Sequence, residues 1–127
     1  MEYAVPVWFS GITKQQSKLL EKIQRWATSI ILNNWTLSYR VRCTLLGLTP
    51  LYLRRKSIAL AFSLRTSKNT KHTDFFIPKC SKYNTRHSEN TFEEYKVRSS
   101  RFQRSPLVTL TTDLNIYLKQ AQMKVDK

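Results

Sequence analysis

Only two of the 127 residues are glycine. Tight turns with positive φ and close backbone approaches draw on glycine, so this scarcity argues against a turn-rich all-β fold and against a glycine-rich phosphate loop. A chain this long, 41% hydrophobic, supports one domain with a real core but not two well-buried ones. The longest apolar stretch lies around Ala27 to Leu32 and is interrupted by Thr28 and Ser29. That falls far short of the roughly 20 residues that cross a bilayer, so no membrane partner is expected. The start, Met-Glu-Tyr-Ala, lacks the positive region of a secretory signal, and Cys43 and Cys80 are too few for a disulfide framework. An intracellular setting, cytoplasm or nucleus, with reduced thiols is the expectation.

The local signals are those of helices. Thr13 and Gln16 form a capping box, followed by Leu19, Leu20, Ile23, Trp26, Ala27, Ile30 and Ile31 on one arc of a helix. Lys14, Lys18, Lys22 and Arg25 form a separate basic stripe on the same helix. A basic amphipathic helix also suits a membrane surface or a calmodulin-type partner, but a domain of this size needs Trp26, Ile30 and Ile31 for its own core, and they are assigned there. After a loop at Asn33-Asn34-Trp35-Thr36, Ser38 caps a short helix stopped by Gly47. Thr49 and Pro50 then read as N-cap and first helical residue of a third helix to about Lys68. Its apolar residues take two faces, Leu51, Ile58 and Phe62 against Leu53, Leu60 and Leu64. That pattern implies cover on both sides or a meeting with a partner surface.

Residues 1–68 are therefore read as helical and 69–104 as a loop-rich basic and aromatic segment, extended over its later part. Residues 105–119 form a C-terminal helix started by Ser105-Pro106, and 120–127 a frayed tail. The fold class is mainly α: a three-helix N-terminal part, a long irregular segment and a short C-terminal helix in one domain.

Charge is distributed unevenly. Between Glu21 and Asp74 there is no acidic residue but ten basic ones, within a net charge of +14. Such a window points to an anionic partner. Catalytic chemistry finds little support. Two-metal transfer needs clustered carboxylates, whereas Asp74, Asp113 and Asp126 lie far apart, and Glu93-Glu94 point in different directions on any regular element. No nucleophile–base set can be named among His72, Cys80 and His87. With Cys43 these have the chemistry of zinc ligands, but close pairs such as Cys-x-x-Cys are missing. Neither an enzyme nor a metal site is expected, and no cofactor.

Basic residues interleaved with aromatics are the stronger chemical signal, because cations neutralise phosphates while rings stack on unpaired bases. Lys96, Arg98, Arg101 and Arg104 with Phe92, Tyr95 and Phe102 form one such cluster, whose plainer reading is a wet strand with inward aromatics. The stripe Lys14, Lys18, Lys22 and Arg25 is a second candidate, plainly readable as a solvated helix face. A third, Arg54-Arg55-Lys56, lies near the positive end of a helix dipole and wants an anion.

In order and spacing, these pieces resemble the C-terminal region of non-LTR (LINE-type) retrotransposon reverse transcriptases, downstream of the polymerase core. The resemblance is carried by Glu2-Tyr3-Ala4 with Pro6-Val7-Trp8, by Leu20-x-x-Ile23-Gln24-x-x-Ala27 with Ile30-Ile31, and by Ser38-Tyr39. It continues through Leu45-Leu46-Gly47-Leu48 with Leu53-Arg54-Arg55, Lys71-His72, and Arg98-x-x-Arg101-Phe102 with Ser105-Pro106-Leu107 and Leu110-Thr111. It covers about residues 1–115. Where relatives commonly carry acids after Ser38-Tyr39, this chain has Arg40 and Val41. The resemblance implies a detached end of an RNA-directed DNA polymerase whose catalytic Tyr-x-Asp-Asp motif would lie upstream. The implied partners are RNA or DNA, held through the phosphate backbone, and the polymerase body. The alternatives are a functionless retroelement remnant or an independent basic RNA-binding domain.

Overall fold

The structure, a computed structural model, describes residues 3–79 and 91–125, and all of its described regular elements are helical. In chain order these are α1 (Val5–Trp8), α2 (Lys14–Ile31), α3 (Tyr39–Leu45), α4 (Leu51–Ser67), a 3₁₀ helix (Thr70–Phe75), α5 (Ser100–Gln103) and α6 (Pro106–Val125). The protein is mainly α. Cys80 and His87, two members of the zinc set considered from sequence, lie outside the described residues, as does Asp126.

Several boundaries follow from the local chemistry. The Thr13–Gln16 capping box is formed, with Gln16 N–H donating to Thr13 Oγ1 at 3.2 Å and Thr13 N–H to Gln16 Oε1 at 2.9 Å. Ser38 caps α3, and Gly47 takes a left-handed φ of 63° just beyond it, a conformation glycine adopts without a Cβ penalty. Two expectations need correction. The C-terminal helix does not end at 119 but continues to Val125, because Lys119 to Lys124 are nearly all strong helix formers. Nor is the segment before it wholly extended: Ser99 accepts from Phe102 N–H at 3.2 Å and starts the single turn of α5.

The apolar core lies where α4, α6 and α1 meet: Ala59, Phe76, Leu110 and Leu114 are buried there, with Phe9, Leu64, Phe92 and Leu118 packed around them. The face that α4 turns inward is Arg55, Ala59, Ser63 and Thr66, between the two apolar faces read from sequence. Its small residues admit close helix approach. Phe92 is held by an unusual device. The buried Asn115 of α6 accepts from Phe92 N–H and donates to Phe92 C=O, both at 3.0 Å, so an amide side chain stands in for a neighbouring strand. The Phe92 ring meets Phe76 edge-on at 5.7 Å, a favoured aromatic geometry. Glu93 N–H to Ile77 C=O and Lys79 N–H to Thr91 C=O tie the two arms of this segment together.

The largest departure from the sequence reading is the rotation of α2. Trp26, Ile30 and Ile31, assigned to the core, are exposed, as are Leu19 and Ile23. The helix instead turns its polar flank inward: Thr28 and Ser29 are buried and Ser17, Glu21 and Gln24 half-buried.

Replacing Asn115 with Ala leaves both Phe92 backbone groups without their partner. Urea unfolding should register a loss of about 2 kcal/mol, and an unchanged midpoint would show that this bracket does not hold the segment.

Candidate nucleic-acid interface

The anion sought for Arg54-Arg55-Lys56 is internal. Pro50, not Thr49, occupies the N-cap of α4, and no side chain of the preceding loop caps the helix. The exposed N–H groups are met by Glu21 of α2, whose Oε1 accepts from Leu51 N–H and Oε2 from Tyr52 N–H, each at 3.2 Å. A carboxylate there satisfies orphan donors and complements the helix dipole at once. Arg55 Nη2 stands 3.8 Å from Glu21 Oε2 and also donates to Ser17 Oγ at 3.4 Å, while Nε donates to Leu51 C=O at 3.1 Å. The guanidinium lies 5.9 Å from the Trp8 ring centre and 5.5 Å from that of Phe9, within the range of cation–π attraction. Arg55 is only 2% exposed. It is therefore removed from the phosphate-binding set and is a structural cation; Arg54 and Lys56 remain exposed on either side of it.

Glu21 Oε1 also accepts the Tyr39 hydroxyl at 2.6 Å. Burial, then this bond to Glu21 and lesser effects of Cys43, push the Tyr39 pKa far above the ordinary tyrosine value. The Arg25 guanidinium lies over the Tyr39 ring at 5.1 Å, leaving Arg25 exposed.

The other predicted cations face water. Lys14, Lys18, Lys22 and Arg25 are all exposed along one side of α2, a stripe about 16 Å long at the helical rise per residue. Lys96, Arg98, Arg101 and Arg104 are exposed too, with Phe102 partly so. Arg101 and Arg104 line a cleft of about 310 Å³ together with Ser100 and Gly11. Gly11 precedes Lys14 by three residues, so the fold brings Arg101 and Arg104 near the start of α2. Asp113 of α6 lines another cleft together with Lys14. Among the described residues no three His, Cys, Asp or Glu side chains gather as metal ligands, and no helix is long and apolar enough to cross a membrane.

Sequence reasoning missed Arg42. It is buried, with Nη1 donating to Leu37 C=O at 2.6 Å and Nη2 to Arg25 C=O at 3.4 Å. It ties the loop after α2 back to α2. The same loop is shaped by Asn34, whose Oδ1 accepts from Thr36 N–H, Thr36 Oγ1 and Leu37 N–H at 2.8 to 3.1 Å. An Asn in a loop is a readable turn signal; an Arg destined for burial among carbonyls is not.

Arg55→Ala leaves Glu21 without its cation and should cost about 3–5 kcal/mol in chemical denaturation, whereas Lys18→Ala should stay within about 0.5 kcal/mol. Equal effects would contradict the division into structural and surface cations. Tyr39 supplies a pH test. A raised folded pKa stabilises the neutral phenol, a contribution complete below the unfolded value of about 10 and lost as pH climbs above it. Tyr39→Phe should therefore be less stable than wild type by about 1 kcal/mol at pH 8 and show a flatter decline above pH 10.

No protein-family model matches the chain, nor does any curated protein or solved structure.

Proposed function

We propose that this chain is a non-catalytic C-terminal portion of a non-LTR retrotransposon reverse transcriptase, making sequence-independent contact with RNA or DNA and supporting the polymerase body. The observation that carries the nucleic-acid part is the basic face. Arg101 and Arg104 share a cleft with Gly11, next to the exposed stripe of Lys14, Lys18, Lys22 and Arg25. Contiguous exposed cations with no base-reading element suit phosphate neutralisation, which releases counterions and ignores sequence. The family origin is supported by the ordered residues from Glu2 to Thr111. Exposed Val41, Leu45 and Leu53 on α3 and α4 suit a chain that packs against a larger body.

Filter binding of short RNA and DNA between 50 and 200 mM salt should show affinity falling linearly on a log–log scale. Neutralising Arg98, Arg101 and Arg104 together should reduce the slope by about 2 to 3 on duplex DNA, since each phosphate that is no longer neutralised lowers it by about 0.9. Binding that is absent, or indifferent to salt, overturns the proposal.

A further inference from the structure

The exposed apolar arc of α2 borders a groove of about 680 Å³. Its walls include Leu19, Ile23 and Trp26 of α2 and Trp35 of the following loop, with Lys22 and Arg25 also lining it. Trp26 is 63% and Trp35 61% exposed, a costly way to place two indoles unless something covers them. Trp35 stands on the loop that Asn34 shapes and that Arg42 ties to α2. Arg42 also lines the groove, and its buried Nε has no hydrogen-bond partner.

We infer that this groove is a single-strand site, in which unpaired nucleobases stack on Trp26 and Trp35 while Lys22 and Arg25 hold the adjoining phosphates. This rests on the nucleic-acid reading above and narrows it to single strands at a defined place. Two observations select this occupant over a protein segment. The groove's charges are all positive, and no acidic residue occurs between Glu21 and Asp74. Lys22 and Arg25 are also the last members of the α2 stripe, so a backbone following Lys14, Lys18 and Lys22 arrives at the groove. Its bases would then meet the apolar flank of the same helix. Stacking on an aromatic face is tolerant of sequence because every base has a π-face, and a groove of this volume falls within the range of small-molecule sites.

The test uses the full chain with a ten-nucleotide single-stranded oligo(U), an RNA duplex of equal length and an acidic amphipathic peptide. Oligo(U) should quench the intrinsic tryptophan fluorescence, and the duplex should quench it far less. Trp26→Ala and Trp35→Ala should each weaken oligo(U) binding about tenfold with duplex affinity unchanged, and Trp26→Phe should restore most of the loss. Circular dichroism checks that each variant folds; if an alanine variant does not, the wild-type contrast in quenching decides. If both alanine variants bind oligo(U) as wild type does, the groove assignment fails while salt-dependent binding at the basic face still stands. If neither nucleic acid binds, the broader reading fails as well. Quenching by the peptide alone would overturn the inference and reassign the groove to a protein partner.

Discussion

One carboxylate organises the α2–α4 part of this protein. Glu21 of α2 accepts the first two free N–H groups of α4, faces the buried Arg55 guanidinium and takes the Tyr39 hydroxyl of α3. Three helices thus converge on one side chain. The geometry also explains how an arginine can be sequestered in so basic a chain. The ion pair alone, at 3.8 Å, is too long to be a strong hydrogen bond. The rings of Trp8 and Phe9, the Leu51 carbonyl and Ser17 also surround the cation, whose Nη1 is buried without a hydrogen-bond partner.

The Glu21 anchor has a geometric cost that becomes an opportunity. To point Glu21 at α4, α2 must turn Ser17, Glu21, Gln24 and Thr28 inward, a polar line along one helix side, and its apolar arc then faces water. Residues buried in the interior include Thr28, Ser29, Arg42, Arg55, Ser63, Thr66, Thr111 and Asn115, alongside Val5, Cys43, Ala59, Phe76, Leu110 and Leu114. An interior so rich in polar groups depends on hydrogen bonds being made. Most are made to backbone carbonyls of the same helix, as with Thr28, Ser29, Ser63 and Thr111, while Arg42 Nε and Arg55 Nη1 stay unpartnered. The apolar core proper is therefore confined to the α4–α6 side. The α2 side is held by polar contacts and keeps its tryptophans outside.

Burial divides the cations into two groups. Arg55 and Arg42 are absorbed as internal braces, each bonded to a carbonyl within its own neighbourhood. The lysines and arginines of α2 and of the segment before α6 stay in water, and Arg101 and Arg104 share a cleft with Gly11, three residues before Lys14. Basic residues that look alike in sequence thus divide into those that hold the fold and those available to a polyanion.

The helical class, the capped start of α2 and the stop at Gly47 were legible in the sequence, because caps and left-handed turns are set by residues a few positions apart. The sequence by itself also determined which cations exist and that ten of the 22 fall in one acid-free window. It could not determine which side of α2 would be buried. The amphipathic period predicts an apolar face turned inward, and that prediction failed because Glu21 finds its partners 18 to 34 residues away, at Tyr39, Leu51, Tyr52 and Arg55. The polar line from Ser17 to Thr28 was visible in the sequence; its reason was not. Likewise Asn115 looks like an ordinary helix residue until Phe92, 23 positions earlier, is brought against it. Tertiary structure decided these points, since the free energy of a buried polar group depends on partners that only the folded chain supplies.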